Sequence, residues 1–356
     1  ALATALLAEA PVLGTVCATL AFVLVGVGVG ASGTSLLVLL AKQTAPERRP
    51  AAATITWVMM ILGFIVTAGI AGALLDPFSF TRLVAVTGGV GLCALLVTTA
   101  AVWGVEHGGG AAVAEETEAD VGGREVPFAE ALAEVWSETR ARRFTIFVFA
   151  AMLAYSAQDL ILEPFAGTVF GFTPGESTQL AGIQNSGVLL GMIVLALLGG
   201  RIGTLRGWTT GGCIASAGAL AVLAFGGLQG PGWPLEASVF ALGAANGVFA
   251  VAAIGSMMQH VGEGHESREG LRMGLWGAAQ ALAFAVGGFA GTAAIDLTRA
   301  LLADPAWAYG LVFLLEAAAF LVASGLALWS MGDGVPTDAV PAARDDELVP
   351  ALGAGG

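Results

Sequence analysis

Residues 12–41 read VLGTVCATLAFVLVGVGVGASGTSLLVLLA and contain no Asp, Glu, Lys or Arg. About 20 apolar residues in a helix cross the ~30 Å hydrocarbon core of a bilayer, and this run is longer than that. Eight further apolar runs follow along the chain, with predicted limits 51–75, 82–103, 144–168, 177–200, 207–228, 234–260, 270–295 and 306–330. The sequence therefore predicts an all-α integral membrane protein with nine complete spans.

The overall composition excludes several classes of protein. Hydrophobic residues make up 56% of the chain and charged residues only 12%, whereas soluble domains have about 25% charged residues. Much of the net charge of −13 comes from two polar segments, 104–142 and 332–356, which we expect to be solvated. Because no basic patch with interleaved aromatic residues occurs, membrane lipid is an expected partner and nucleic acid is not.

The basic residues predict how the spans are oriented. Twelve of the fourteen Lys and Arg residues fall in one alternate set of loops or in the C-terminal tail, and the other set holds only Arg82 and Arg299. Since Lys and Arg concentrate on the cytoplasmic side, the first set and the C-terminus are predicted to be cytoplasmic. The stretches APERR and REGLR in two of these loops are predicted to be cytoplasmic loop motifs, and their basic residues are Arg48, Arg49, Arg268 and Arg272.

The polar segment 104–142 divides the chain into two predicted halves, 1–103 and 143–331. An offset of 219 residues maps Glu47 onto Glu266 and Trp57 onto Trp276, and three further identities share that offset. Parallel repeats of this kind are typical of the two halves of major-facilitator transporters, which have six spans each. Only three spans and part of a fourth precede the segment, so we expect an N-terminal truncation that leaves about ten of twelve spans.

The polar segments themselves have different predicted states. The first part of 104–142 is rich in Gly and acidic residues and predicts a flexible cytoplasmic linker. The second part, VPFAEALAEVWSETRARR, has the spacing of an amphipathic helix lying at the membrane surface. Residues 332–356 predict a disordered acidic cytoplasmic tail.

Glycine spacing within the spans suggests close packing. Gly28, Gly30 and Gly33 formally match a dinucleotide-binding fingerprint, but that motif requires a strand before it and a soluble βαβ unit around it. Inside an apolar helix, glycines instead let another backbone or a flat ligand approach closely. The same small-residue spacing recurs in 243–247 and 287–291.

Three carboxylates lie deep within predicted spans, away from the span ends, where an acid costs about 2.5–3.5 kcal/mol and so indicates function. Asp159 and Glu163 share one helix face, which Tyr155 extends, and Gln158 is adjacent. Pro164 and Gly167 are expected to break this helix and free backbone carbonyls. The cluster is compatible with proton relay, cation binding, a polar ligand group or hydrogen bonding between helices.

The other polar residues in the spans give weaker indications. Glu316 stands alone near the middle of its span, and Asn246 is one of several uncharged polar residues that commonly join helices. Three cysteines isolated in apolar runs predict neither a disulfide nor a metal site. Because nothing resembles a nucleophile–base pair, the sequence predicts no catalytic residues and a protein that is not an enzyme.

Several stretches resemble the PucC family, the bacteriochlorophyll-delivery branch of the major-facilitator superfamily. They are GVGASGTSLLVLLAKQTAPERRPAAATITWVMMILGFIVTAG, YSAQDLILEPFAGTVFG with TPGESTQLAGIQNSGVLLGM, and SREGLRMGLWGAAQALAF. The resemblance implies an assembly factor for bacterial light-harvesting complexes in the photosynthetic inner membrane. It implies transiently bound bacteriochlorophyll, antenna polypeptides as partners, and possible contact with pigment-synthesis enzymes or the reaction-centre core.

The resemblance also implies where the site lies. In a facilitator arrangement, spans 12–41, 144–168 and 234–260 line the central cavity and span 306–330 faces outward. A ligand site is therefore expected from Gly28, Gly30, Tyr155, Gln158, Asp159, Glu163, Pro164 and Asn246. Glu316 is expected to contact a partner helix. A proton-coupled transporter of a small solute and a pigment-free assembly scaffold are the alternative functions.

Overall fold

The computed structural model describes residues 10–44, 49–103, 135–261 and 269–331, together with positions 6 and 133. Within these residues the regular structure is helical and no strand occurs. The long helices are α1 Pro11–Gln43, α2 Arg49–Leu75, α3 Phe80–Val102, α4 Thr139–Phe170, α5 Pro174–Leu198, α6 Leu205–Gln229, α7 Leu235–Val261, α8 Glu269–Leu301 and α9 Pro305–Ser330. In the described part of the chain, these nine helices are long and apolar enough to cross a membrane. The nine predicted spans and the all-α membrane class are confirmed.

Local sequence explains where the helices begin and end. At the start of α5, Thr173 and Glu176 form a reciprocal capping box and Pro174 occupies the first turn. α4 begins at Thr139, five residues before the predicted limit of its span, because its first turn is polar and a hydropathy criterion does not count it. It ends at Gly171, whose φ of 74° is the left-handed cap conformation that glycine favours.

The six helices α4–α9 pack around one core. α4 lies against α8 and α9, α9 against α6, α6 against α7, and α7 against α5. Aromatic rings fill the centre: Phe165 packs edge-on against Phe313 with ring centroids 4.8 Å apart, and Phe249 packs against Phe320 at 6.0 Å. This bundle gives α4 a buried side and an open side.

Glycines permit the closest helix contacts, as the small-residue spacing predicted. A Cβ atom on Gly243 would stand 2.0 Å from the carbonyl oxygen of Gln184 on α5, and one on Gly247 would stand 2.1 Å from that of Val188. Gly287 and Gly291 are packed in the same way against α4. Side chains of any size at these positions would force the helices apart.

α2 joins the bundle by packing against α5. Gly72 of α2 lies against Gly175, and the Thr173 hydroxyl donates a 3.0 Å hydrogen bond to Oδ2 of Asp76 in the turn after α2. α3 has no buried residue and α1 packs weakly, mainly against α2. The division into two facilitator halves stays a prediction.

The predicted linker and tail fall mostly outside the described residues. Residues 104–132 and 332–356 belong to this group. Of the predicted amphipathic segment, residues 135–137 are helical, with Val135 buried and Trp136 44% exposed. Its placement at a membrane surface stays a prediction.

Candidate functional site

One side of α4 carries the polar residues whose spacing in the sequence predicted a shared helix face. Tyr155, Asp159 and Glu163 follow each other at four-residue intervals, which places them on one side of the helix. Asp159 and Glu163 are exposed and Tyr155 is half-buried. We call these three residues the α4 open face.

Neighbouring helices contribute to both sides of this face. The Tyr155 ring packs against Phe284 of α8, with centroids 6.0 Å apart and an interplanar angle of 54°. The Asp159 carboxyl group interacts with the Gln184 side chain of α5. The arrangement therefore combines two carboxyl groups, a carboxamide and two aromatic rings in one place. The sequence did not assign Gln184 or Phe284 to the site, since contacts between distant helices leave no local signal.

α4 continues through Pro164, so the expected break at Pro164 and Gly167 is wrong. The helix extends to Phe170, and Pro164 is exposed on its surface. Proline lacks the N–H that would bond the carbonyl oxygen four residues earlier, so the carbonyl of Leu160 has no such donor. One carbonyl is affected here, because the flanking helical hydrogen bonds hold the rest of α4.

Gln158 does not share the α4 open face, although it is adjacent to Asp159 in sequence. A step of one residue turns a helix by about 100°, and Gln158 points into the bundle with no exposed surface. Within the described ranges, neither its Oε1 nor its Nε2 has a hydrogen-bond partner. The predicted cluster is thus divided between an open and a buried side.

Glu316 is also buried, and the prediction that it lies on an outward face is wrong. Its side chain is 5% exposed, and neither carboxyl oxygen has a hydrogen-bond partner among the described residues. It interacts electrostatically with Asp159 of α4. The residue faces inward because the buried side of α9 packs against α4 and α6, so it is not available to a partner helix in this structure.

Asn246 lies in the interior of the bundle. It has no exposed surface, and its Oδ1 accepts a 2.8 Å hydrogen bond from the Ser216 hydroxyl of α6. Its Nδ2 has no hydrogen-bond partner in the described part of the chain. The structure therefore gives Asn246 a role in joining α6 and α7.

Gly28 and Gly30 are not brought to the site either. Both are exposed on α1, and no atom from elsewhere in the described chain lies within 4 Å of where their Cβ would stand. Their expected role in ligand binding stays a prediction.

The predicted cytoplasmic loop residues are only partly described. Arg48 and Arg268, like the side chain of Arg49, lie outside the described residues. Arg272 is 3% exposed, and its guanidinium donates to both carboxyl oxygens of Glu138, at 2.9 and 2.7 Å. This ion pair ties the segment before α4 to the first turn of α8.

An apolar groove of about 650 Å³ lies between α5, α6 and α7. Leu190, Trp208 and Val248 are among the residues that line it, and none of the predicted site residues does. Such a surface suits a hydrocarbon chain and offers little to orient a polar group.

These features define a multi-span α-helical membrane protein with intramembrane carboxyl groups on one open helix face. A family model described as PUCC protein matches residues 2–330, and the chain belongs to the PucC family. The family resemblance found in the sequence is confirmed.

Three relatives place the chain within the family. It is 52% identical over 338 residues to the "Bacteriochlorophyll synthase 44.5 kDa chain" of Rhodobacter capsulatus, covering 94% of this chain and 74% of the relative. It is 31% identical over 314 residues to an "Uncharacterized protein in puhA-bchM intergenic region" of the same species, covering 85% and 64%. It is 28% identical over 322 residues to "Protein PucC" of R. capsulatus, covering 89% and 68%.

Proposed function

We propose that this protein is an assembly factor for bacterial light-harvesting complexes that binds bacteriochlorophyll and delivers it to antenna polypeptides. The observation that carries the proposal is the family match over nearly the whole chain. The name of the relative with 52% identity supports the link to bacteriochlorophyll. The proposed location is the photosynthetic intracytoplasmic membrane, with the C-terminus in the cytoplasm. Pigment-synthesis enzymes and the reaction-centre core are further proposed partners.

The α4 open face has the chemistry that the pigment requires. Bacteriochlorophyll is a flat macrocycle with an apolar tail, and its Mg²⁺ takes an axial ligand. Mg²⁺ prefers oxygen ligands, and Asp159 and Glu163 present exposed carboxyl groups in a membrane span. Tyr155 and Phe284 place aromatic rings beside them. In this proposal one of the two carboxyl groups holds the metal and the rings contact the macrocycle.

The proposed role is non-catalytic, although one relative is named as a synthase chain. Two exposed carboxyl groups beside a phenol and a carboxamide suit the holding of a cation or a polar head. A pigment-synthesis assay on the purified protein tests this part. Turnover that depends on residues of this chain would contradict it.

The decisive experiment compares two double variants of the chain expressed in a pigmented host. Asp159→Asn with Glu163→Gln replaces both carboxyl groups of the α4 open face by isosteric amides. The matched control, Glu236→Gln with Asp296→Asn, neutralises two exposed carboxyl groups near helix ends. Near-infrared absorption of the purified proteins measures bound pigment per chain.

We expect the first double variant to retain less than about a tenth of the pigment, because losing a charged ligand costs more than 1.4 kcal/mol. The control is expected to retain all of it. Equal pigment in both variants would contradict the proposed site. A colourless wild-type protein that still supports antenna assembly would favour the pigment-free scaffold.

The second candidate is a proton-coupled transporter of a small solute. The observation that favours it is the electrostatic interaction between exposed Asp159 and buried Glu316, since pairs of intramembrane acids are typical of proton pathways. Proteoliposomes with an imposed pH gradient distinguish the functions. Solute uptake that follows the gradient and is lost in Asp159→Asn would support transport.

A further inference from the structure

Two buried polar side chains in the same helix interface have no hydrogen-bond partner in the part of the chain that the structure describes. Gln158 has no exposed surface and Glu316 is 5% exposed. All four polar atoms of these side chains, the two oxygens of Glu316 and the Oε1 and Nε2 of Gln158, are buried and unpaired. Buried polar groups in proteins are nearly always hydrogen-bonded, so this pair needs an explanation.

The register of α4 and α9 sets the two residues opposite each other. Arg143 stacks over Trp329 at 4.6 Å, and the Phe165 ring lies 5.5 Å from that of Tyr309, so the helices run antiparallel. Gln158 is seven residues, about two turns, before Phe165. Glu316 is two turns after Tyr309. Gln158 and Glu316 therefore lie at the same height along the two helices, on the faces that are in contact at Phe165 and Tyr309.

The surroundings offer little to compensate a negative charge on Glu316. Phe313 lies about one turn before Glu316 on α9 and packs against Phe165 of α4. Phe320 lies about one turn after Glu316. The described arginines of the packed helices stand near helix ends; they are Arg140, Arg142, Arg143, Arg206, Arg272 and Arg299. An ionised carboxylate buried without a partner carries a large desolvation cost.

The other titratable groups around Glu316 also do not supply a positive charge. Asp159 of α4 interacts with it electrostatically, and two ionised carboxylates there would repel each other. The remaining described titratable side chains on the packed helices are Tyr155 and Glu163 of α4, Cys213 of α6, Glu236 of α7, Asp296 of α8 and Tyr309 of α9. None of them is a cation at neutral pH.

We infer that Glu316 is a proton-binding site and that its carboxylic acid pairs with the Gln158 carboxamide, joining α4 to α9. A neutral acid and a primary amide are complementary: the acid O–H donates to Gln158 Oε1, and Gln158 Nε2–H donates to the other Glu316 oxygen. The two side chains do not bond each other directly in the structure, so each of these donations passes through a bridging water. The proton comes from solvent, and the step is a binding equilibrium without oxidation or bond cleavage.

This inference goes beyond the proposed function because it does not involve pigment. Gln158 and Glu316 are buried, whereas Asp159 and Glu163 of the α4 open face are exposed. The site nevertheless acts on α4, the helix that carries Asp159. Loss of the proton would leave a buried charge at the α4–α9 interface and weaken the packing of α4.

Infrared difference spectroscopy of the whole purified chain at neutral pH tests the proton directly. A protonated buried carboxyl group gives a carbonyl band that shifts in deuterated water. We expect this band in the wild type and in Asp159→Asn, and its loss in Glu316→Gln. Glu163→Gln, on the open face, is the matched control and keeps the band. No band difference between the wild type and Glu316→Gln would overturn the inference.

Unfolding as a function of pH gives a second, independent measurement. The folded chain holds a proton on Glu316 that the unfolded chain releases above about pH 4.3, so stability conferred by the site is complete at low pH and falls as pH rises. Glu316→Gln mimics the neutral acid and is expected to fold with this pH slope removed. Gln158→Leu leaves the acid unpaired and is expected to unfold more easily than Glu316→Gln at every pH. A Glu316→Gln protein that fails to fold, or keeps the wild-type slope, would contradict proton binding.

Discussion

Ser216 and Asn246 form a hydrogen bond between two side chains that have almost no contact with the outside of the bundle. Ser216→Ala removes the donor and leaves Asn246 Oδ1 buried without a partner. We expect a loss of about 1–2 kcal/mol in the free energy of unfolding, within the range for buried hydrogen bonds between membrane helices. The apparent unfolding temperature in detergent measures this loss.

Two further variants separate the hydrogen bond from other effects of the change. Ser186→Ala, the control, loses only a bond to the carbonyl of its own helix and is expected to be nearly neutral. Adding Asn246→Leu to Ser216→Ala replaces both partners by apolar groups and is expected to recover part of the loss. Equal unfolding temperatures for Ser216→Ala and Ser186→Ala would contradict this role of the pair.

Individual residues also show what the sequence revealed and what it did not. The shared face of Asp159 and Glu163 follows from their spacing, because helix geometry alone places residues four apart on one side. The inward direction of Glu316 did not follow from the sequence. In a membrane helix the lipid-facing and buried sides are equally apolar, as exposed Leu314 and buried Phe313 of α9 illustrate. The periodicity that orients a soluble helix is therefore missing.

At the scale of the helix, contact between α5 and α7 depends on glycine. A Cβ on Gly191 would stand 2.1 Å from the carbonyl oxygen of Ala244, which is closer than any real contact. We expect Gly191→Ala to cost about 1–3 kcal/mol through overpacking, or to prevent folding. Unfolding temperature and monodispersity in size-exclusion chromatography check the effect.

Gly218 of α6 is the matched control for this substitution. No neighbouring atom lies within 4 Å of where its Cβ would stand, and the residue is exposed. Gly218→Ala is expected to leave stability unchanged or raise it by up to about 1 kcal/mol through helix propensity. The same loss in both variants would mean that close backbone contact is not what holds α5 against α7.

Helix number and length were predictable because about 20 apolar residues are needed to cross a membrane, and each run met that requirement. The limits of α4 were less accurate. Its polar first turn lies outside the apolar run, and Pro164 is accommodated where a break was expected. The pairs of helices in contact were not predictable from hydropathy. Small residues indicate that a helix is closely packed, but they do not identify the helix against which it packs.

At the scale of the whole molecule, the first three helices are joined to the last six mainly through α2 and α5. We call this α2–α5 contact the seam. Gly72 of α2 packs so closely in it that its Cβ would stand 2.5 Å from Gln179 Cγ and 2.6 Å from the carbonyl oxygen of Gly175. Beyond the seam, Asp76 accepts a hydrogen bond from Thr173 and its carbonyl accepts one from Arg82. The repeat in the sequence predicts two halves, whereas only the three-dimensional structure identifies this contact between α2 and α5.

A protease site inserted between residues 110 and 111, within the segment outside the described residues, tests whether the seam holds the molecule together. After cleavage in detergent, we expect the two fragments to co-elute from a size-exclusion column, because the α2–α5 contact does not depend on an intact backbone. Gly72→Leu is expected to separate the fragments, since its side chain meets backbone atoms of α5. Gly63→Leu on the same helix, with no neighbour within 4 Å of its Cβ position, is expected to leave them together. Separation without any substitution, or co-elution of the Gly72→Leu fragments, would show that other contacts join the halves.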